Sequence, residues 1–398
     1  MSSSPVSDRR RYLRTVGLAV ALGAALVAIT SNQLPGTSDI RTLHEAVVWW
    51  TQGEDLYAYP ADPLPPFAAL LLLPLTVIPA ELASWLVAIA NLVLIAGCVW
   101  YLVEPVARRR GWSPQFAAAL AIPAAVAISP LRDILGTGQL TMLAAALVIC
   151  DLVGIRRGAR WTGVGIGLAT ALTLAPALFI AYLAVTRQWR AAITATATAL
   201  STIVACALVA PDTSWAYWSG ALWERARPAD GAINQSVAGV LERLYNEQPV
   251  PGLLWFTFAL LVLAVGLSRA YTAHQEGDEL TAFTIVGLTA PLVAPYAGLH
   301  HLVWIAPAVL LLVDLALSRR SPWLGLAAAG VYAVALLAPV WTFAHPTGHH
   351  WDDGVLGMLG ENSFALIALL LVTALPWRSE AYPAYQPEYV RRVAVYLR

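Results

Sequence analysis

The stretch GTSDIRTLHEAVVWWTQGEDLYAYPADPLPPFAALLLLPL, residues 36–75, sets acids, a histidine, tryptophans, tyrosines and prolines between two greasy runs. Elsewhere the chain carries little charge: of 398 residues, 12% are charged and 59% hydrophobic. Soluble domains hold about 25% charged residues, and the mean hydropathy here is +0.65. Apolar runs approaching the roughly 20 residues that cross a bilayer fall at 16–30, 82–103, 115–131, 140–155, 162–186, 191–211, 252–268, 280–298, 302–318, 324–343 and 363–377. The run at 67–79 is shorter, closer to half a span. The reading is an all-α polytopic integral membrane protein, one transmembrane unit over 1–398 with roughly 10 to 12 helices.

Orientation follows from arginines, which favour cytoplasmic loops. All 24 basic residues are arginine, and with abundant alanine this points to a GC-rich bacterial genome. Arg9, Arg10, Arg11 and Arg14 place the tail 1–14 inside, as a retained anchor rather than a cleaved leader. Arg187 with Arg190, Arg269, Arg319 with Arg320, and Arg378 with Arg391 and Arg392 mark further inner positions, the last in the tail 378–398. The outer loops are then 31–66, 212–251 and 345–362. If Arg108 to Arg110 and Arg156 to Arg160 are also inside, 67–79 and 162–186 become outward-facing re-entrant pairs, and the count is about 10 rather than 12. Zero net charge gives no reason to expect nucleic acid as a partner, and the three cysteines lie inside apolar runs, so no disulfide framework is expected.

Polar chemistry collects on the outer side. In SDIRTLHEAVVWW, Ile40, Leu43, Val47 and Trp50 recur at helical spacing, predicting an amphipathic helix on the outer surface with Asp39 at its start. Asp39 then reads either as a first-turn acid that suits free backbone N–H groups or as a general base at the mouth of a lipid-facing cavity. Arg225, Arg227 and Arg243 break the inward bias of arginine within one outer loop, as an anionic ligand such as a phosphate would explain. Asn234 and Gln235 offer amide hydrogen bonds there, beside tryptophans suited to stacking or to the membrane interface. His300 and His301 follow a proline-interrupted span and read as interfacial residues or as ligands of a phosphate or sugar. Adjacent helical residues diverge by about 100°, so they make a poor metal pair. No metal signature accompanies them, and neither metal nor cofactor is expected.

Several separated stretches together resemble glycosyltransferase family 87. They are Gly53-Glu54-Asp55-Leu56-Tyr57, Pro65-Pro66-Phe67-Ala68-Ala69-Leu70 with Leu73-Pro74-Leu75, and Gly138-Gln139-Leu140 followed by Asp151. Gly165-Ile166-Gly167-Leu168-Ala169 with Pro176-Ala177-Leu178-Phe179, Asn234-Gln235-Ser236, and Pro295 with His300-His301-Leu302-Val303-Trp304 continue the order. The resemblance implies a GT-C fold and an actinobacterial enzyme of the plasma membrane, active on its outer face among membrane lipids. It implies transfer of a sugar, mannose in the first place, from a polyprenyl-phosphate donor to a glycolipid or lipoglycan acceptor with inversion. The alternatives are an arabinofuranosyltransferase with another polyprenyl donor, and a multipass transporter or lipid flippase. By the same resemblance Asp39 is the catalytic base and His300 and His301 lie near the donor phosphate, with Tyr57 and Gln139 among the substrate-binding residues. Three positions depart from the family pattern: Leu64 replaces a tyrosine, the asparagine after Gly-Gln is missing near Leu140 and Thr141, and Thr173 replaces a lysine.

Overall fold

The computed structural model describes residues 38–59, 63–223, 230–245, 250–345 and 349–378, with residue 23 apart from these. The described residues are helical, with no strand among them. The predicted spans 16–30 and the two tails lie almost wholly outside them. Helix α1, Ser38–Thr51, is amphipathic as its spacing predicts: Ile40, Leu43, Ala46 and Val47 are buried, while Arg41, Glu45 and Trp49 are exposed. It packs on Leu56, Ala69 and Leu72 in a small core of its own, bordered by Leu140. Short α2, Pro66–Leu72, runs into a 3-10 turn over Leu73–Val77 and supplies Ala69 and Leu72.

Helix α3, Ala80–Arg109, has 30 residues, about 45 Å of rise. Helix α4, Pro114–Ala127, meets α5, Ser129–Thr137, at an angle of 74°. The break falls at Ile128, whose extended backbone precedes Ser129 and Pro130, and Pro130 has no N–H for a continuous ladder. Helix α6, Thr141–Arg157, then descends to the next arginine run.

Helices α7, Val164–Thr173, and α8, Ala177–Val185, form a hairpin of two half-length helices. Glycine makes it possible. A β-carbon at Gly165 would come within 2.3 Å of the Leu147 carbonyl on α6, and one at Gly167 within 2.5 Å of the Ala195 carbonyl. Asp151 on α6 accepts the Ile166 N–H at 2.7 Å, satisfying an end group that the helix itself leaves without a partner. The hairpin begins beside Arg156 to Arg160 and ends at Arg187, so both its ends lie at the arginine end and its tip points towards the opposite end of the bundle.

After α9, Trp189–Val209, and α10, Pro211–Ala216, a π turn over Tyr217–Ala221 leads towards α11, Val237–Tyr245. Next come α12, Gly252–Gln275, and α13, Glu279–Val293, the centre of the bundle, buried from Leu280 to Leu292. A 3-10 turn over Leu299–Leu302 leads to α14, Ile305–Arg319. Helices α15, Pro322–Leu337, α16, Pro339–Thr342, α17, Gly354–Glu361, and α18, Ser363–Ala374, complete the described chain.

One end gathers the arginines. Arg109 bonds the Asp314 carboxylate at 2.9 Å, Arg110 donates to Ser318 at 2.7 Å, and Arg319 donates to the Trp377 carbonyl at 3.1 Å. Arg378 bonds Asp278 through its Nε at 2.9 Å. Arg109 and Arg110 therefore share a face with Arg319 and Arg378. The protein is membrane-embedded: among the described residues 4 helices are long and apolar enough to cross a bilayer, or up to 6 if each bent pair is one span.

Candidate active site

At the end away from the arginines, α5 closes at Gly138, whose φ is +74°. Its missing side chain matters twice, for the left-handed backbone and for contact: an added β-carbon would lie 2.6 Å from Ile40 Cβ. The first turn of α1, which carries Asp39, is thereby pressed onto the turn Gly138-Gln139-Leu140. Asn91 on α3 donates to the Gln139 carbonyl at 3.2 Å and holds the same turn from the other side.

Below this turn, a pocket with about 400 Å³ of empty space lies between the start of α6, the break between α7 and α8, and the 3-10 turn before α14. Thr141, Thr173 and His301 give it hydrogen-bonding groups, while Phe179, Trp304 and Pro291 supply apolar wall. Trp304 lies flat over Gly287, where a β-carbon would approach the indole to 2.3 Å, and Phe179 meets it at 5.4 Å between centroids. A second space lined by Ile95, Leu102, Met142 and Pro307 shares Ala145, Val303 and Trp304 with the first. A mostly apolar pocket that carries a few hydrogen-bonding groups thus adjoins an almost wholly apolar one.

Backbone strain sits on the pocket wall. Leu174 has φ +57° and ψ −42°, and the Ala175 N–H reaches the Thr173 carbonyl at 2.6 Å. This is the rare γ-turn that non-glycine residues adopt only at a cost, and Pro176 follows it. The turn brings Thr173 to the pocket.

His300 is buried, and its Nδ1 lies 3.1 Å from Asp133 Oδ2 on α5. Its ring is 4.2 Å from that of His301 between centroids. Asp133 was absent from the residues singled out by sequence. The available signal was an ionisable pair, Arg132-Asp133, at the end of an apolar run, since charges at such depth are functional candidates by default.

The remaining expected residues separate into groups. Tyr57 donates its hydroxyl to the Leu64 carbonyl at 2.9 Å and meets the tilted ring of Tyr217 at 5.8 Å between centroids. Burial, then the neighbouring Tyr217 and Asp55, pushes its phenol above the ordinary range. Asn234 and Gln235 are fully buried. Asn234 Oδ1 accepts the Ala297 N–H at 3.1 Å, and the Gln235 N–H reaches the Ala297 carbonyl at 2.8 Å. Gln235 Oε1 also accepts the Ala365 N–H at 2.9 Å. These amides pin the segment that carries His300.

Arg243 is also fully buried, donating to Asn362 Oδ1 at 2.8 and 3.0 Å and to the Gly231 carbonyl at 2.8 Å. Burial lowers its guanidinium to about 10, against the pull of Glu361 and Asp230. Beside it, His350 bridges Glu361 at 3.0 Å and Asp230 at 3.3 Å. Arg225 and Arg227 lie outside the described residues. The structure therefore brings Gln139, His300, His301 and the backbone of Asp39 to one end of α5 and α6, and sets Asn234, Gln235 and Arg243 behind them.

The chain is 31% identical over 326 residues to a polyprenol-phosphate-mannose-dependent alpha-(1-2)-phosphatidylinositol mannoside mannosyltransferase of Mycolicibacterium smegmatis, covering 74% of this chain and 72% of that protein. It is 32% identical over 274 residues to the protein of the same name from Mycobacterium tuberculosis, covering 65% of this chain and 63% of that one. A polyprenol-phosphate-mannose-dependent alpha-(1-2)-phosphatidylinositol pentamannoside mannosyltransferase of Mycobacterium tuberculosis is 27% identical over 335 residues, with 83% and 75% covered. No solved structure matches the chain. The profile of glycosyltransferase family 87 matches residues 64–295, a span that Asp39 and His300 flank on either side. With its helical bundle, its pocket and this match, the chain belongs to glycosyltransferase family 87.

Proposed function

We propose that this glycosyltransferase moves mannose from a polyprenyl-phosphate donor to a mannosylated phosphatidylinositol acceptor, on the outer face of the plasma membrane, within a GT-C fold of about ten spans. The observation that carries the reading is the pocket at the tip of the α7–α8 hairpin, where Thr141, Thr173 and His301 adjoin an apolar cavity. A lipid phosphate needs such a division, with hydrogen bonding for its head and hydrocarbon for its chain. The relatives' names support the donor and acceptor classes, and they favour mannose over arabinofuranose and transfer over transport.

In the proposed reaction Asp39 takes the proton of an acceptor hydroxyl as that oxygen attacks the anomeric carbon. The bond from this carbon to the phosphate oxygen breaks, and the polyprenyl phosphate leaves with its electron pair. An imidazole N–H of His301, held against the His300 ring, stabilises the charge that develops on the leaving phosphate. Asn234, Gln235 and Arg243 serve by holding the His300 segment, and Tyr57 and Gln139 line the approach of the acceptor. One displacement inverts the anomeric configuration.

Purified protein incubated with polyprenyl-phosphate sugars and nucleotide sugars should consume polyprenyl-phosphate mannose when a mannosylated lipid is present. Consumption of a nucleotide sugar instead would overturn the reading. Cysteines introduced at Gln52 and Gln275 test the orientation: the first should react with an impermeant reagent outside intact cells, and the second should not.

A further inference from the structure

Asp133 is one of the few carboxylates that the bundle carries inward from a span. The 74° bend at Ile128 lays α5 across the bundle and delivers Asp133 to a histidine 167 positions later. The side chains are 14% and 7% exposed, Asp133 and His300 respectively, so water competes little for the contact. Gly298 shapes the other side of the ring, because a β-carbon there would fall 2.7 Å from His300 Cε1 and 3.0 Å from Nδ1. The held ring lies against His301, which lines the pocket. A carboxylate is thus connected to the pocket through two adjoining, mutually tilted imidazoles.

We propose that Asp133 is a positioning residue for the transfer reaction, acting through His300. The inference rests on the reading that this pocket receives the phosphate of a lipid-linked donor. An ionised carboxylate only accepts hydrogen bonds, so its contact with Nδ1 places a hydrogen on that nitrogen. With its hydrogen on Nδ1, the ring leaves Nε2 as an acceptor, so His300 serves the pocket by holding His301 rather than by donating to the phosphate. The same contact prevents the ring from rotating about its bond to Cβ, and so fixes the face on which His301 rests. Both effects matter more when the phosphate leaves than when it binds, because the hydrogen-bonding groups must already be aimed at where charge develops.

The test is a cycle of Asp133→Asn, His300→Gln and the double variant, with turnover and donor KM measured for polyprenyl-phosphate mannose. Asparagine keeps the size of the side chain but no longer dictates the tautomer. Asp133→Asn should lower kcat about 10- to 100-fold, the range for groups that orient a functional imidazole, while donor KM changes less than about threefold. Asp133→Glu should recover part of the loss. In the His300→Gln background Asp133→Asn should cost less than about a further twofold, since the residues act as one unit; losses that multiply would overturn the proposal. Gly298→Ala displaces the ring without touching Asp133 and should reproduce the fall in kcat, which guards against poor folding of Asp133 variants. A parent protein that transfers nothing from any polyprenyl-phosphate sugar sinks the functional reading instead. In that event 15N spectra of the histidines still decide on Asp133, because an unchanged His300 tautomer in Asp133→Asn overturns the inference.

Discussion

Ile40 fills the space above Gly138, so closely that a β-carbon on the glycine would sit 2.6 Å from Ile40 Cβ and 2.9 Å from its Cγ2. This contact joins the residue after Asp39 to the residue before Gln139. The position of the proposed base is therefore set by a glycine almost a hundred residues away.

Gly138→Ala should expose that dependence. The new methyl meets Ile40 and must also adopt φ +74°, at a combined cost of about 1–3 kcal/mol. Displacing α1 by about 1 Å should lower transfer on the order of 100-fold. Adding Ile40→Ala makes room and should restore part of the rate, measured on the same purified protein.

Asp39→Asn should separate catalysis from helix formation. Asparagine serves at a helix start about as well as aspartate, and only a few tenths of a kcal/mol of dipole interaction are lost. Loss of a general base costs about 10²- to 10⁴-fold in rate. Thermal unfolding and donor affinity should stay near the parent's, while turnover nearly vanishes. An asparagine variant that turns over normally would turn attention to Glu45, Glu54 or Asp55.

Arg243→Gln should act first on stability. Its guanidinium donates to Asn362 and Gly231 from a fully buried position, so the substitution leaves buried acceptors without a donor and should cost about 2–4 kcal/mol. A lower midpoint of thermal unfolding, with donor KM unchanged in the folded fraction, is the expected outcome. An unchanged midpoint with a higher donor KM would return Arg243 to the role of anion ligand.

Thr173→Lys should tighten donor binding. The threonine shares the pocket wall with His301, and an ammonium there adds a charge-assisted contact to phosphate worth about 1 kcal/mol. That corresponds to a fall in donor KM of roughly fivefold. A higher KM would mean that the pocket takes no anion at this wall.

Much of the architecture was legible in composition and period. Ile40, Leu43 and Val47 announced α1, and the re-entrant reading of 162–186 anticipated a hairpin there. The arginine runs marked one face, and Arg109 with Asp314 places the ambiguous middle run there too. Asp133 was less legible, because its meaning depends on a bend at Ile128 and on a partner in another helix. Asn234 and Gln235 look the same in sequence whether they face a ligand or the backbone of Ala297. Only the path of distant segments decides between these.

The hairpin closes the bundle like a stopper. Gly165 and Gly167 seat it against α6 and α9 with no room for another methyl group, and its tip forms the floor of the pocket. On the proposed reading, cargo that reaches this floor would depart by the side on which it came. Under the proposed reaction the enzyme would be one-sided: a lipid-linked sugar made in the opposite leaflet would have to be carried across by separate machinery before it could react, and the spent carrier would be released into the leaflet it came from.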